Sequence, residues 1–261
     1  MTTAGIIDAH AHCGIQDRWP PQSFADYLAA ARATPIESVV LFPPVAEIYD
    51  RDDPEFFDSP GWRRQRQAAN EYLLGLESRE IEVIPYFFIW NDFAVDQLSP
   101  RHRGIKWHRH ADEPRYAYDS PECRRALKEI RRRDLPVVYE EELSNTVRFI
   151  NELAVGIRVI IPHLGFLNGG YRAIEKAGLW KNPDVYADTS LAATETILEY
   201  VRSYGHEKLF FGSDFPFGDP GRELEKIRRL PLSEETRAAI TGGNIRALFA
   251  ECQKSRNQAG D

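Results

Sequence analysis

The sequence predicts one domain, residues 1–261, with the α/β fold of an eight-stranded parallel (β/α)8 barrel. A length of 261 residues is usual for such a barrel, and 43% of them are hydrophobic, enough for a large core. Eight short apolar segments recur along the chain, and segments with helical periodicity lie between several of them. Strands and helices that alternate in this number favour a closed parallel barrel.

The predicted strands are apolar and rich in β-branched and aromatic residues, as expected when helices cover a parallel sheet. The first strand starts at Gly5-Ile6-Ile7. The other seven lie in SVVLFPP (38–44), EVIPYFFIW (82–90), GIKWH (104–108), LPVVYEE (135–141), RVIIPHLG (158–165), DVYADTS (184–190) and LFFGSDFP (209–216). A doubly wound open sheet is the alternative fold, but no G-x-G-x-x-G motif follows the first strand.

Helices are predicted between these strands, with Ser23 as an N-cap and glycines as stops after the last two. The predicted helical segments are SFADYLAAARA (23–33), WRRQRQAANEYLLGLESRE (62–80), SPECRRALKEIRRR (120–133), SNTVRFINELAVG (144–156) and TETILEYVRSYG (194–205). Trp19-Pro20-Pro21 and Phe42-Pro43-Pro44 are expected to shape loops over a pocket. From about residue 250 to 261 we expect a frayed tail.

The composition excludes several classes of function. A net charge of −7 and an isoelectric point near 5.6 argue against general nucleic-acid binding. No apolar run is long enough to cross a membrane, and the N-terminal residues lack the basic and apolar regions of a signal peptide. Cys13, Cys123 and Cys252 are odd in number and widely spaced. Such cysteines indicate reduced thiols and therefore a cytoplasmic protein.

The segment GIIDAHAHCG (5–14) carries two histidines, one residue apart, at the end of the first strand. Because side chains alternate along a strand, Asp8, His10 and His12 are expected on one face. Two imidazoles at a strand end can bind one metal ion, and a carboxylate such as Asp8 could orient one of the rings. Cys13 is out of phase with the histidines and is expected to point outward.

Further polar residues fall at the C-terminal ends of other strands, where the loops of a parallel barrel form its active site. They are Lys106 and His108 on strand four, Glu140 on strand five, His163 on strand six and Asp214 on strand eight. Any one of them alone has an ordinary structural explanation, such as a solvated carboxylate or a hydrogen-bonded core histidine. Their joint placement on one rim predicts a functional site.

Histidines and carboxylates around an open coordination position are what a catalytic zinc-type site requires. The predicted metal ligands are His10, His12, Glu140, His163 and Asp214. Such an ion lowers the pKa of bound water toward about 7 and polarises a carbonyl group. Asp214 is the predicted general base, and His163 could bind a second ion, orient the substrate or act as the acid.

The segment RHRGIKWHRH (101–110) is strongly basic in an otherwise acidic chain, and it could attract an anionic small-molecule substrate. Lys106 and His108 are the predicted substrate-binding residues of this segment. Arg101, His102 and Arg103 precede them and are expected on the opposite, N-terminal face of the barrel.

The motifs DAHAH, GIKWH, PHLG and FGSDFP, followed by ITGGNIRALF (240–249), resemble the amidohydrolase superfamily in its amidohydrolase-2 branch. The resemblance runs from residue 6 to about 249, and five motifs in order are far more specific than any one. It implies a TIM-like barrel with one or two divalent ions, zinc first and manganese as the alternative. Members of the family hydrolyse amides, esters or lactones of small molecules, and some decarboxylate aromatic or related acids without redox change.

The resemblance assigns His10 and His12 to the strand-one ligands, His163 to the strand-six histidine and Asp214 to the strand-eight aspartate. Strand five departs from the family, which usually has P-V-x-x-H where this chain has P-V-V-Y-E. Glu140 therefore stands where a histidine ligand is expected. A carboxylate can bind the same ion, but it weakens the Lewis acidity and favours harder ions such as manganese. It also leaves open the loss of the metal.

Three functions follow from these residues. The first is a metal-dependent hydrolase of a small amide, ester or lactone that uses metal-activated water. The second is a non-oxidative decarboxylase, a lyase of a small carboxylic acid, on the same site. The third is a metal-free barrel that binds a small ligand. None of the three involves nucleic acid or a membrane, and a homodimer is left open.

Overall fold

The computed structural model describes residues 5–15 and 22–259, and for 255–259 it describes the backbone alone. The expected loop at Trp19-Pro20-Pro21 lies outside the described residues. The strands are β1 (Ile6–His12), β2 (Ile36–Phe42), β3 (Glu82–Pro85), β4 (Phe87–Phe88), β5 (Ile105–His108), β6 (Val137–Glu140), β7 (Val159–Ile161), β8 (Val185–Asp188) and β9 (Leu209–Phe210). The helices are α1 (Phe24–Ala31), α2 (Pro60–Gly75), α3 (Pro121–Arg132), α4 (Leu143–Arg148), α5 (Tyr171–Lys176), α6 (Thr194–Tyr204), α7 (Pro220–Arg229), α8 (Glu234–Ala238) and α9 (Asn244–Ala259).

The strands form a closed parallel barrel, which confirms the predicted fold class. They pair in parallel in the orders β1-β2-β3 and β4-β5-β6-β7-β8-β9. The two strands β3 and β4 are one barrel strand interrupted at Tyr86, whose N–H donates to Leu41 O at 3.0 Å. The barrel closes where the N–H of Ala9 donates to Phe211 O at 2.8 Å. Each of the eight predicted apolar segments therefore contributes one barrel strand.

Two apolar layers position the polar rim. The larger layer lies between the strands and the surrounding helices and includes Val39, Leu41, Trp107 and Tyr139. The smaller one fills the barrel interior, where Val40, Phe42, Ile84, Val138, Ile160 and Phe210 meet side chains of α9. Inward-facing residues nearer the C-terminal ends of the strands are polar. The polar residues at the C-terminal ends of the strands therefore lie above an apolar core that fills the barrel interior.

The predicted helices are present, with boundaries shifted by a few residues. Ser23 caps α1 as predicted, and its hydroxyl and Asp26 form a reciprocal capping box. Helices α2 and α3 begin with N-cap serines, Ser59 and Ser120, each followed by a proline. No helix is predicted where α5, α7, α8 and α9 lie. Helix α9 extends through residues 250–259, where a frayed tail was expected. No helix in the described part of the chain is both long and apolar enough to span a membrane.

A bulge in β1 corrects the prediction that Asp8 shares a face with His10 and His12. The register of β1 against β2 shifts between Asp8 and Ala11, so the alternation of side chains changes phase there. The Asp8 carboxylate points away from the interior and accepts hydrogen bonds from Ser213 N–H at 2.8 Å and Tyr27 Oη at 3.1 Å. Asp8 therefore connects β1 to the segments that carry Tyr27 and Ser213, and its carboxylate contacts neither histidine ring.

Candidate active site

A pocket of about 480 Å³ opens at the C-terminal ends of the strands. Its polar lining residues are His12, Gln22, Arg51, His108, His110, Glu140, His163 and Asp214. Its apolar lining residues are Pro44, Val45, Ala46, Leu167, Leu191 and Phe217. The pocket thus combines an apolar wall with titratable side chains from several strands, which is usual for a site that binds a small molecule.

His10 is oriented by Asp188, the last residue of β8. Oδ2 of Asp188 lies 2.9 Å from Nδ1 of His10, and both side chains are buried. Burial alone raises the pKa of Asp188, but His10, His163 and Ser190 outweigh it and hold that pKa well below its ordinary value. An ionised acceptor places the ring proton on Nδ1. The lone pair is then on Nε2 of His10, which lies 3.3 Å from Lys106 Nζ. Burial and the nearby Lys106 lower the pKa of His10 to about 4, so this ring is neutral at neutral pH.

His163 and Asp214 both lie in turns with left-handed backbone, at a φ of 55° each. Non-glycine residues adopt this conformation at a cost, and it occurs preferentially at functional sites. Hydrogen bonds from their own N–H groups hold the turns: Asp214 donates to His10 O at 2.7 Å, and His163 donates to Asp188 Oδ1 at 3.0 Å. Both side chains are thereby directed into the pocket.

The donor atoms of His10, His163 and Asp214 all lie within 4.8 Å of one another. Oδ1 of Asp214 is 3.3 Å from Nε2 of His10 and 3.5 Å from Nε2 of His12. In a tetrahedral site with ligand distances of about 2.0–2.1 Å, neighbouring donor atoms are about 3.3–3.4 Å apart. The separations around Asp214 therefore match those of a metal site.

The other ring nitrogens of these histidines also have acceptors. Nδ1 of His12 lies 3.3 Å from Pro43 O, and Nδ1 of His163 lies 2.9 Å from the hydroxyl of Ser190. The Ser190 hydroxyl donates to Asp188, so it accepts from His163. All three rings can thus keep a proton on Nδ1. Nε2 of His10 and of His12 then faces Asp214, and Nε2 of His163 lies 3.5 Å from Oε2 of Glu140. This donor set fits a divalent ion.

Oε2 of Glu140 lies 3.5 Å from Nε2 of His163, and Asp214 belongs to the same group of donors. Burial lowers the pKa of His163, but Glu140, Asp214 and Asp188 outweigh burial and raise this pKa to about 9. Nε2 therefore holds a proton at neutral pH unless a metal cation replaces it. Burial likewise raises the pKa of Asp214, yet bonds and charges from His12, His10 and His163 bring it below its ordinary value. Asp214 is ionised at neutral pH.

Glu140 does not join His10 and Asp214 directly. Strands β5 and β6 pair with Lys106 opposite Val138 and His108 opposite Glu140, so the inward side chains of both strands meet. Oε2 of Glu140 accepts from Lys106 Nζ at 3.2 Å and lies 3.5 Å from His163 Nε2. Burial raises the pKa of Glu140, but His108, Lys106 and His110 hold it well below its ordinary value. Glu140 is thus an ionised carboxylate among nitrogen donors.

A second group that could hold an ion consists of His108, His110 and Glu140. Oε1 of Glu140 lies 3.2 Å from Nε2 of His108 and 2.9 Å from Nε2 of His110. Nδ1 of His108 lies 3.3 Å from Tyr49 Oη, and Nδ1 of His110 lies 3.0 Å from Arg51 Nη2. All three residues line the same pocket as His12, His163 and Asp214.

Comparison with known protein families identifies the family of this chain. The family model for amidohydrolases (Amidohydro_2) matches residues 7–250, almost the whole chain. The chain belongs to the amidohydrolase family. A comparison with curated proteins found no match.

Solved structures similar to this amidohydrolase include decarboxylases and a hydrolase, all of low sequence identity. A 2,6-dihydroxybenzoate decarboxylase from Rhizobium is 16% identical with a TM-score of 0.68, over 95% of this chain and 99% of that one. A dihydroxybenzoic acid decarboxylase from Polaromonas, with bound manganese and the inhibitor 2-nitroresorcinol, is 13% identical with a TM-score of 0.71, over 95% and 97%. A candidate 2-pyrone-4,6-dicarboxylic acid hydrolase from Pseudomonas putida is 17% identical with a TM-score of 0.65, over 95% and 98%. These similarities show the fold.

The structure brings the predicted site residues of this amidohydrolase to one rim: His10, His12, Lys106, His108, Glu140, His163 and Asp214. Three contributors were missed, namely His110, Asp188 and Ser190. Asp188 ends a predicted strand, so the positional rule applied to the other strands would have found it. His110 forms a second H-x-H with His108, but it lies beyond the end of β5. Arg103 and Arg101 lie by Phe249 and Gln253 at the opposite face, as expected.

Proposed function

We propose that this amidohydrolase is a metal-dependent hydrolase that cleaves a small carbonyl compound, an amide, ester or lactone. The observation that carries the proposal is the arrangement of His10, His12 and His163 around Asp214. Each ring has an acceptor at Nδ1. Nε2 of His10 and of His12 lies 3.3 Å and 3.5 Å from Oδ1 of Asp214, and the donor atoms of His10, His163 and Asp214 lie within 4.8 Å of one another. An acceptor on the second ring nitrogen is the usual arrangement of histidines that bind a metal ion.

His10, His12, His163 and Asp214 would hold one divalent ion, with zinc first and manganese as the alternative, because three imidazoles favour zinc. The ion supplies Lewis acidity toward a carbonyl oxygen and makes a water molecule a stronger acid. Glu140 as a further ligand stays a prediction: its Oε2 lies 3.5 Å from His163 Nε2 and is paired with Lys106 Nζ at 3.2 Å.

Asp214 is the proposed general base. Its carboxylate is ionised and lines the pocket, so it can accept the proton of the attacking water and return it to the leaving group. His163 contributes as a donor for the ion and has no free nitrogen for a second proton transfer. His108 lies at the pocket surface, where its ring can bind a polar group of the substrate.

The pocket limits the substrate to a small molecule with an apolar body. A volume of about 480 Å³ is at the lower end for small-molecule sites, and Val45, Leu191 and Phe217 line its wall. Arg51 lines the mouth with its side chain one-third exposed, at 33%. Its Nη2 is paired with Oε1 of Glu113 and lies 3.0 Å from Nδ1 of His110, so an anionic substituent of the substrate would compete with Glu113 for this guanidinium.

A non-oxidative decarboxylase is the second candidate. Two of the similar structures are decarboxylases of dihydroxybenzoic acids, and this favours the second candidate. In this reaction Asp214 would transfer a proton to the substrate carbon. Both candidates use the same rim, so the products must distinguish them.

The test combines metal analysis with product analysis. Protein purified without chelator is expected to carry a divalent ion, and the double variant His10→Ala/His12→Ala is expected to be folded and metal-free. Esters, lactones and amides are then assayed for cleavage, and small aromatic acids for release of carbon dioxide. Full metal content in the double variant would reject the ligand assignment. A wild-type protein without metal would favour a metal-free ligand-binding barrel.

A further inference from the structure

We propose that a cleft on the N-terminal face of the barrel is a second binding site, for a small organic anion with an apolar body. This cleft lies at the opposite end of the strands from the candidate active site. The inference is independent of the proposed function, because no residue that lines the cleft also lines the pocket of the active site.

The cleft has a volume of about 660 Å³, within the range of about 300–1,000 Å³ that is usual for small-molecule sites. Its apolar lining includes Ile84 of β3 and Phe249 of α9, which belong to the layer that fills the barrel interior. Val83 and Pro100 line it as well and are more exposed to solvent. An apolar group of a ligand therefore has side chains to pack against in this cleft.

The charged lining of the cleft is mostly basic. Among the described residues that line it, the charged ones are Arg101, Arg103, Arg246 and Glu82. The carboxylate of Glu82 is already bound, since its Oε2 accepts a hydrogen bond from the hydroxyl of Ser38 at 2.9 Å. The cleft thus concentrates positive charge in a chain whose net charge is −7, and such a local excess attracts anions.

The guanidinium groups of Arg101 and Arg103 are available to a ligand. Within the described part of the chain, neither of them forms an ion pair or donates a hydrogen bond. Arg103 lies over the ring of Phe249, with Cζ 5.5 Å from the ring centre. Contact with a ring uses none of the N–H donors of a guanidinium, so those of Arg103 can still bind an oxyanion.

Arg246 is held in place by the backbone of the first strand segment. Its Nη2 donates to Gly5 O at 3.0 Å and lies 3.8 Å from Oε2 of the exposed Glu37. Its Nη1 has no hydrogen-bond partner among the described residues, and 40% of the side chain is exposed. A fixed guanidinium with a donor to spare loses little conformational freedom when it binds a ligand.

These groups together define the chemistry of the ligand. Guanidinium groups bind carboxylates and phosphates through paired N–H donors, so the anion carries one of these two groups. Because Arg103 contacts Phe249, the charged group of the ligand is expected to lie next to its apolar body. A simple aryl carboxylate or aryl phosphate has this arrangement.

Calorimetric titration of the full chain with phenyl phosphate and with benzoate tests the inference. We expect at least one of them to bind, and more weakly as the salt concentration rises. The identity of the better probe distinguishes a phosphate site from a carboxylate site. Inorganic phosphate and benzyl alcohol, which lack the apolar body and the charge respectively, are expected to bind more weakly. Binding of neither aryl anion, or equal binding of benzyl alcohol, would overturn the inference without the need for a variant.

The double variant Arg101→Gln/Arg103→Gln locates the site. It is expected to lower the affinity for the better probe at least about tenfold, because it removes charged hydrogen-bond donors. Arg64→Gln/Arg125→Gln is the matched control: it removes the same charge from exposed positions on α2 and α3 that do not line the cleft. An equal loss in both double variants, or no loss in the first, would overturn the inference.

The variant His10→Ala/His12→Ala separates this site from the active site. It is expected to bind the probe as the wild type does, and loss of binding there would place the probe in the active site and overturn the inference. The metal content of Arg101→Gln/Arg103→Gln is expected to equal that of the wild type. A wild-type protein without metal would contradict the proposed function and leave the test of the cleft intact.

Discussion

Nδ1 of His10 and Oδ2 of Asp188 lie 2.9 Å apart, and this contact connects the first strand of the barrel to the seventh. The other oxygen of Asp188 accepts from the N–H groups of His163 and Ser190 at 3.0 Å and 3.1 Å. One buried carboxylate thus sets the ring of His10 and the turn that carries His163. It orients two of the four proposed metal ligands without binding the ion.

Asp188→Asn is expected to weaken metal binding about 10- to 100-fold, the usual effect of losing an acceptor behind a ligating histidine. The amide can present N–H to Nδ1 of His10, which would move the ring proton to Nε2. Competition with a chelating dye measures the affinity. Asp96→Asn, at an exposed position, is the control and should leave it unchanged. Equal affinities for wild type and Asp188→Asn would show that Asp188 does not set the tautomer.

Asp214→Asn is expected to retain metal and to lose turnover by about 10²- to 10⁴-fold, because the amide keeps one donor oxygen but cannot accept a proton. The measurement is kcat with whichever ester, lactone or acid proves to be a substrate, together with metal content. Turnover within about twofold of wild type would exclude Asp214 as the proton carrier.

Binding of the ion is expected to stabilise the fold. At an ion concentration of about 100 Kd, the free energy of unfolding rises by about 2.7 kcal/mol. For a domain of this size that corresponds to about 5–10 °C in Tm. Thermal unfolding with added zinc or manganese and with a chelator measures the shift. His10→Ala/His12→Ala should show no shift, and a shift of full size in that variant would place the ion elsewhere.

Metal affinity is expected to rise with pH. The pKa of His163 is raised to about 9 in the free protein, so below pH 9 the ion must displace a proton from Nε2. The apparent affinity should therefore increase about tenfold per pH unit up to about pH 9 and level off above it. His10, with its pKa lowered to about 4, adds no further slope near neutral pH. Affinities measured from pH 6.5 to 8.5 test this, and His163→Gln should show weaker binding without the slope.

Tyr27→Phe is expected to lower the free energy of unfolding by about 1–2 kcal/mol, because the hydroxyl donates to Asp8 at 3.1 Å. Burial raises the pKa of Asp8 to about 7, so this acceptor is only partly ionised at neutral pH. Urea unfolding gives the change. Tyr86→Phe is the matched control: it is equally buried, and among the described residues its hydroxyl has no hydrogen-bond partner. A similar loss in both variants would mean that the ring environment, and not the bond to Asp8, determines the effect.

The site was predictable from sequence to the extent that it follows from position at strand ends. Apolar segments of the sequence predict the strands, and four of the predicted ligands lie at or just beyond the ends of those strands: His10, His12, His163 and Asp214. In a parallel barrel the C-terminal ends of all strands lie on the same side. The predicted face of Asp8 was wrong, because a β-bulge after Asp8 changes the alternation of side chains along β1. A bulge depends on the pairing with the neighbouring strand, so it cannot be predicted from the sequence of β1 alone. The hydrogen-bond partners of Glu140 could not be predicted from the sequence either, because they depend on the register between β5 and β6.

The sequence by itself determined the barrel, the order of its strands and the rim on which the polar residues lie. These features depend on local patterns, namely apolar runs, helical periodicity and caps, which a single segment carries within itself. The tertiary structure alone decided which donor faces which: Asp188 behind His10, Ser190 behind His163, and Lys106 on Glu140. Those pairs join residues from different strands at distances near 3 Å, and such distances are set by register, bulges and turn geometry over the whole closed barrel.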